Sequence, residues 1–370
     1  MSAAAAVRNA LVSRDPLTKT ETIDSYRYAA SMVSKVVSNG YIGMVKTIPQ
    51  MYRFLYNRAE KATEVGRFRT WVHQFTATNL HSVIKEIRPD VVVCTHAFPC
   101  GVMSEYKKQF AHAPPVVGVV TDFVVHSFWI HRNIDGYAVA TPEMRGALVA
   151  RGIPSERIII SGIPVNSSFS RHAKDVMSLR ASLQLPLGRH VVLIMGGGLG
   201  IGPLEMMMRA LNAVEQPLAA VVIVGKNVRL ERRVLETAQQ MSYPLRIAHF
   251  IENVYDYMHA SDLLLSKPGG LTAAEALVAN LPMVLVKPLP GQEERNTRFL
   301  VERKAAVRAK NQAHLTNLVE TLLASPERRS AMGAASRLLA RPDAAADVAE
   351  LIASTARRQA RAKYDTALTT

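Results

Sequence analysis

The chain has 370 residues, nearly half of them apolar, and no low-complexity block, which excludes a disordered or fibrous protein and points to two compact domains. No run of about 18 apolar residues is present, and Met1 opens onto an Ala-rich stretch without the charged start and apolar centre of a secretory signal, so neither a transmembrane helix nor export is expected. The net charge of +15 fits an anionic membrane, a phosphorylated substrate or a solvated basic surface, while aromatics are not interleaved with the basic residues, so nucleic acid is not an expected partner.

Residues 2–14, SAAAAVRNALVSR, carry a helix pattern rich in good formers. Residues 25–65 combine many apolar side chains with a positive excess (Arg27, Lys35, Lys46, Arg53, Arg58 and Lys61 against Glu60 and Glu64), and Gly40, Gly43 and Pro49 divide them into short pieces. That mix fits an interfacial segment dipping into an anionic membrane, or a helix packed into the core with a solvated basic face. The pattern then predicts a helix from Trp71 to Glu86 and a strand from Asp90 to Thr95 that ends at His96. Cys94 lies in that strand and reads as a buried free thiol; with Cys100 it suggests neither a disulfide framework nor a metal site. A further strand, Val116–Thr121, ends in Asp122, and Ile158–Gly162 reads as the last short strand of the first domain.

A second domain is expected from about Asp175. The strand Val191–Met195 runs into Gly196-Gly197-Gly198-Leu199-Gly200-Ile201-Gly202 and then a helix with Glu205 to Leu211. A glycine-rich strand-to-helix loop of this kind cradles phosphate with backbone N–H groups, and no G-K-[ST] follows, so it is not a Walker loop. Strands at Val221–Val224 and Arg246–Phe250 and a short helix at Tyr255–Ala260 come next. Residues 262–300 are the most informative stretch. Strand Asp262–Leu265 leads to Ser266-Lys267-Pro268-Gly269-Gly270, Thr272 caps a helix over Ala273–Ala279, strand Met283–Val286 follows, and the loop Pro290-Gly291-Gln292-Glu293-Glu294 leaves its end. Such loops lie where open α/β sheets bind ligands, so one pocket could hold a diphosphate, a ribose diol and a hexose. Helices at Ala313–Leu323, Glu327–Leu339 and Ala344–Ala360 close the chain, with Arg357, Arg358, Arg361 and Lys363 in a basic tail. Strands alternating with helices throughout imply parallel sheets.

Two stretches carry a family resemblance. KPGGLT, an acidic residue at Glu275 on the following helix, and PGQEE resemble the donor region of GT-B glycosyltransferases that include plant monogalactosyldiacylglycerol synthases and bacterial processive diacylglycerol glucosyltransferases. Residues 121–141, TDFVVHSFWIHRNIDGYAVAT, resemble the TDF-x-x-H-x-x-W-x-H and D-x-Y-x-VAT patterns of the same enzymes, and Gly162-Ile163-Pro164-Val165 resembles their interdomain turn. MurG-type N-acetylglucosaminyltransferases share the layout but lack the PGQE loop.

The resemblance implies an α/β protein of GT-B fold, two Rossmann-like domains with parallel sheets facing across a cleft. Residues 1–170 would form an acceptor- and membrane-binding domain, 171–340 a nucleotide-sugar domain, and 341–370 a helix crossing back to the first domain with the tail. The implied reaction moves a hexose from UDP-glucose or UDP-galactose to diacylglycerol at an anionic membrane surface, on the cytoplasmic face. The alternatives are a MurG-like transferase acting on a lipid-linked precursor and an inactive nucleotide-sugar-binding protein. The second arises because the family usually opens with a strand and a G-x-G-H loop ahead of a helix like 2–14. This sequence begins at the helix, so a gap or an unpaired strand edge is expected in the first sheet, and in-frame codons upstream of Met1 would supply the loop.

The donor residues implied are Gly197, Gly198, Gly269, Gly270, Leu271 and Thr272 for the diphosphate, with Lys267 adding charge or simply solvated. Glu275 would accept the ribose hydroxyls, Gln292 and Glu293 would bind the hexose, and Phe250 and Ile251 would hold the uracil through their backbone. Glu294 reads as an acidic helper or a surface residue. The base that deprotonates the acceptor hydroxyl is one of Asp122, His126 and His96; were residues 122–126 helical, Asp122 and His126 would share a face. Phe128 and Trp129 are expected to line the entry of the acyl chains.

Overall fold

The computed structural model describes residues 2–29, 63–170, 175–197 and 202–369. The proposed membrane-dipping stretch lies mostly at 30–62, outside the described residues. Two compact units are present: Ser2–Pro164 with Leu289–Gln292 and Asp343–Thr370, and Val165–Pro288 with Glu293–Pro342.

The first unit is built on four parallel strands, β1 (Val92–Cys94), β2 (Val116–Val119), β3 (Gly136–Val139) and β4 (Ile158–Ile160), in the order β1-β2-β3-β4. β1 is an edge strand among the described residues. Apolar residues of β2 and β3 are buried on both faces, which is why they read as continuous runs rather than alternating ones. One face is covered by the helix Ala3–Arg14 together with the helix Ala344–Thr369. Val7 packs there with Val117, Val119, Ala138, Val348 and Leu351. The last helix is thus part of the first unit although it follows the whole of the second. The helices Thr63–Ile87 and Ala97–Gln109 pack against each other, and the 3-10 turn Ser25–Tyr28 is tied to the former by Asn79, which donates to the Tyr28 carbonyl at 2.9 Å.

The second unit has six parallel strands: β5 (His190–Met195), β6 (Leu218–Ile223), β7 (Leu245–Ala248), β8 (Leu263–Ser266), β9 (Met283–Val286) and β10 (Ala306–Ala309). Their spatial order is β10-β9-β8-β5-β6-β7. The chain builds outward from β5 to β7, returns to the other side of β5, and builds outward again to β10. The neighbours β5 and β8 therefore flank the topological switch point, where open α/β sheets leave a crevice at the carboxyl ends of their strands. Beneath that crevice the pair is locked at its other end. Buried Arg180 donates to Asp262 at 2.7 Å and to the Ala260 carbonyl at 2.8 Å, and the same Asp262 oxygen accepts from the Val191 amide at 2.8 Å. The core under the sheet is aliphatic, with Leu204, Met207, Met208, Leu315 and Val319 packed on Val192, Ile194, Val222, Leu265 and Val284.

Several local expectations are corrected. The helix after KPGG runs from Gly270 to Val278 and is capped by Gly269, so Thr272 lies inside its first turn rather than at the cap. The helix Gln292–Glu302 begins within PGQEE, which places Gln292 and Glu293 on its first turn rather than in a loop. The stretch 122–126 is irregular, so Asp122 and His126 do not share a helical face.

Candidate functional site

In the second unit the loops that leave the sheet at its carboxyl edge carry nearly all the implied donor residues, and the strand order arranges them. After β5 comes Gly196-Gly197. Gly197 has φ +75°, a left-handed conformation that glycine adopts without strain. Gly202, at the far side of this loop, lies so close to the Gly196 backbone that a Cβ would sit 2.7 Å from its Cα. Gly198 lies outside the described residues. After the adjacent β8 come Lys267, Pro268 and Gly269, and Ser266 ties the two strand ends together by donating to the Met195 carbonyl at 3.1 Å.

The helix Gly270–Val278 has no side-chain cap among the described residues and no acidic residue in its first turn. Its first main-chain hydrogen bond runs from the Ala273 amide to the Gly269 carbonyl at 3.0 Å. The amides of Gly270, Leu271 and Thr272 precede that bond and have no acceptor within the helix, so the helix end presents free N–H donors and the positive pole of its dipole. Two anion-seeking elements therefore stand side by side at the switch point.

Glu275 lies in the second turn of this helix and is only 6% exposed. Burial pushes its carboxyl up to about 7, because the charged form loses hydration. The next strand outward, β9, leads through Lys287 to Gln292 and Glu293. Lys267 reaches across and donates to Glu293 Oε1 at 2.6 Å, with both side chains largely buried. The sequence assigned Lys267 to the diphosphate or to solvent; the pairing with Glu293 was not foreseen, since nothing in local spacing links positions 26 residues apart. Glu294 forms a two-pronged pair with Arg308 of β10, at 2.9 Å on each prong. On the opposite side, past β6 and β7, Phe250 is 46% exposed and the Lys226 ammonium lies 4.6 Å from its ring centroid. Ile251 follows it, half-buried.

In the first unit, His96 follows β1 and Asp122 follows β2, both at the carboxyl ends of adjacent strands. His96 caps the helix Ala97–Gln109, and its Nδ1 accepts from the Phe98 amide at 3.3 Å. Tyr26 adds its hydroxyl at 3.3 Å from the same nitrogen and stacks on Phe98 at 4.6 Å. His126 repeats the arrangement at the 3-10 turn Ser127–Trp129, with Nδ1 accepting from the Phe128 amide at 3.2 Å. A nitrogen that accepts from an amide holds its lone pair there, so each neutral imidazole carries its proton on Nε2 and keeps its basic nitrogen on its cap; His126, at 1% exposure, is buried. Burial also holds His96 below its ordinary value, and holds His73 and His131 at about 4, which keeps these rings neutral.

Trp129 is corrected. It is 1% exposed, and its carbonyl accepts from the buried Tyr137 hydroxyl at 2.8 Å, so it is a core residue and not an acyl-lining one. Phe128 is only partly buried, with the Arg69 guanidinium 4.5 Å from its ring centroid. The contact of Tyr26 with His96 was not foreseen, since nothing in local spacing links positions seventy residues apart.

Comparison with known proteins decides the family. Residues 1–165 match the model for monogalactosyldiacylglycerol (MGDG) synthase, and residues 191–348 match the glycosyltransferase family 28 C-terminal domain. A processive diacylglycerol beta-glucosyltransferase of Bacillus cytotoxicus is 31% identical over 304 residues, 82% of this chain and 77% of that protein. The chain belongs to this glycosyltransferase family. A second relative of the same description, from Bacillus mycoides, is 29% identical over 330 residues, 89% of this chain and 84% of that protein. Among solved structures, Acinetobacter baumannii MurG has a TM-score of 0.55 at 20% identity, covering 78% of this chain and 80% of that one. Anabaena HepE in complex with UDP-glucose has a TM-score of 0.54 at 14% identity, covering 76% and 82%. These likenesses show the GT-B fold. As a member of the family the protein is a hexosyltransferase, and its two parallel sheets are those of GT-B enzymes.

Proposed function

We propose that the protein transfers a hexose from UDP-glucose or UDP-galactose to diacylglycerol at an anionic membrane surface. The observation that carries the donor half is the order of the loops along the second sheet. From β9 through β8 and β5 to β7 it runs Gln292 and Glu293, then Lys267 to Thr272, then Gly197, then Phe250 and Ile251. That is the order hexose, diphosphate, nucleoside in a UDP-sugar laid along the edge. Chain order is different, so the match comes from the topology. The uncapped helix and the glycine loop stabilise the leaving diphosphate by fixed dipoles. Glu275 takes the ribose hydroxyls.

The acceptor half rests on the names of the relatives, each a processive diacylglycerol beta-glucosyltransferase. With both imidazoles protonated at Nε2, Asp122 is the group that accepts the acceptor proton and His96 acts as a donor that orients or stabilises oxygen, while His126, 1% exposed, holds the turn Ser127–Trp129 that follows Asp122. The first unit would hold the acceptor and the second the donor. The test is transfer of labelled hexose from UDP-glucose and, separately, UDP-galactose to vesicles containing diacylglycerol, with products separated by chromatography. A labelled glycolipid is the expected product; labelling of a polyprenyl-linked acceptor instead would overturn the diacylglycerol assignment.

Membrane action is supported by an exposed stacked pair. Trp71 and Phe75, one turn apart on the helix Thr63–Ile87, are 52% and 41% exposed with ring centroids 6.0 Å apart. Amphipathic rings of this kind sit well at a headgroup boundary. They follow the stretch with Lys35, Lys46 and Arg53. Among the described residues no helix is long and apolar enough to cross a membrane. Sedimentation with anionic vesicles is expected to fall about fivefold for each of these three charges neutralised. It should fall further with Trp71→Ser and Phe75→Ser, and added salt should release the protein in part. Binding unchanged in all variants would favour a packed, non-membrane role for the region.

A further inference from the structure

We infer that Lys267 is a positioning residue that couples the diphosphate cradle to the recognition of the hexose, by holding the Glu293 carboxylate in place; this rests on the donor reading above. Three observations converge on it. The Lys267 ammonium is 2.6 Å from Glu293 Oε1, and the two side chains are only 15% and 12% exposed, so the pair is held out of bulk water. A charge-assisted bond this short, held out of bulk water, favours the charged carboxylate and fixes the direction of its Oε1.

The path of the lysine is also specific. A Cβ on Gly197 would lie 3.0 Å from Lys267 Cε, so the side chain crosses directly over the bare backbone of the glycine loop on its way to Glu293. Gly197 thus serves two ends: it takes φ +75°, and it leaves room for the lysine. The ammonium therefore spans the loop expected to hold phosphate and the helix expected to hold the sugar, with further N–H donors beyond the one given to Glu293.

A second tie joins the same two elements. Asn296, fully buried one turn beyond Glu293, donates to the Pro268 carbonyl at 3.2 Å. Thr297 donates to the Glu293 carbonyl at 2.8 Å. The Lys267–Pro268 turn and the first turns of the helix Gln292–Glu302 are joined at two points, so the backbone is already set and Lys267 adds the orientation of one carboxylate. A hexose hydroxyl meeting Glu293 then finds an acceptor aimed in one direction, which is the condition for telling epimers apart by a single hydroxyl.

The experiment measures affinity for UDP and for UDP-glucose, and kcat/KM with UDP-glucose against UDP-galactose, in the full chain and in Lys267→Met, Lys267→Arg, Glu293→Gln, Lys267→Met with Glu293→Gln, and Gly197→Ala. Lys267→Met is expected to lower UDP-glucose affinity about tenfold, UDP affinity less than about threefold, and to compress the ratio between the two hexoses. The double variant should be no worse than Glu293→Gln alone, Lys267→Arg should keep most of the discrimination, and Gly197→Ala should lose it. If Lys267→Met does not fold, the double variant, with neither buried charge, and Lys267→Arg carry the comparison. Equal losses of UDP and UDP-glucose affinity, independent effects in the double variant, or an arginine variant no better than methionine would each overturn the inference while leaving the donor reading intact. A wild-type chain that binds neither UDP nor UDP-glucose would overturn the donor reading itself.

Discussion

Glu275→Ala is expected to weaken UDP binding by about ten- to a hundredfold in a chain that stays folded, the worth of hydrogen bonds to a charged acceptor. The residue is 6% exposed on the helix Gly270–Val278, whose start is proposed to hold the diphosphate, and burial has raised its carboxyl from the ordinary 4.5 to about 7. The sign of the linkage follows. A folded-state pKa above the unfolded one means that the folded chain holds the proton more tightly. The associated stability is therefore full below about 4.5 and is lost as pH rises through about 7. The physical cause is the cost of charging a buried acid.

Binding adds an opposite pull. Ribose hydroxyls that donate to the carboxylate favour its charged form, so UDP affinity should rise as pH goes from about 6 to 8. In Glu275→Gln, which keeps the volume and removes the titration, affinity should be flat over that range and the loss of thermal stability at high pH should shrink. Calorimetry at several pH values checks both. Unchanged UDP affinity in folded Glu275→Ala would remove Glu275 from the ribose role.

Glu293→Ala and Gln292→Ala are expected to lower turnover with UDP-glucose by about ten- to a hundredfold while UDP binds with little change. Both residues stand on the first turn of the helix Gln292–Glu302, which follows β9, one strand outward from the loops proposed to hold the diphosphate. Their reach is thus to whatever lies beyond the phosphates on the side away from Phe250. The Glu293 effect should be the larger, since removing it also leaves the Lys267 ammonium buried without its carboxylate. Steady-state kinetics combined with UDP titration separates the two possibilities. Parallel losses in UDP and UDP-glucose affinity would place this turn against the nucleotide instead.

Local sequence was enough for much of this. The strands His190–Met195, Leu263–Ser266 and Met283–Val286 are apolar runs bounded by glycine, proline or charge, and such runs are strands in a sheet covered on both faces. The glycines of 196–202 and of KPGG announced close backbone turns before helices, because few other residues fit there. The positions of Glu275, Gln292 and Glu293 were legible because their motifs are contiguous. Local rules failed at the starts of helices and where a choice depended on partners far along the chain. Thr272 has the chemistry of a cap, yet the helix starts two residues earlier, at Gly270. The residues Gln292 and Glu293 read as loop because proline and glycine precede them, but the helix begins directly after that break. Trp129 looked like a binding aromatic and is buried by the fold around Tyr137.

Sequence alone therefore determined which segments form parallel strands and which short motifs are proposed to bind phosphate and sugar, since both readings follow from side-chain polarity and backbone freedom within a few residues. Only the tertiary structure decided how those motifs are ordered. The crossover that returns β8 to the side of β5 lays positions 292, 267, 197 and 250 along one sheet edge, and no local signal encodes a crossover. The same packing brings Lys267 to Glu293. The histidine caps at His96 and His126 are local bonds to the amide two residues on, fixed by the backbone turn each ring opens, whereas the Lys267–Glu293 pair draws its free energy from burial and pairing between distant segments and exists only once the chain has folded.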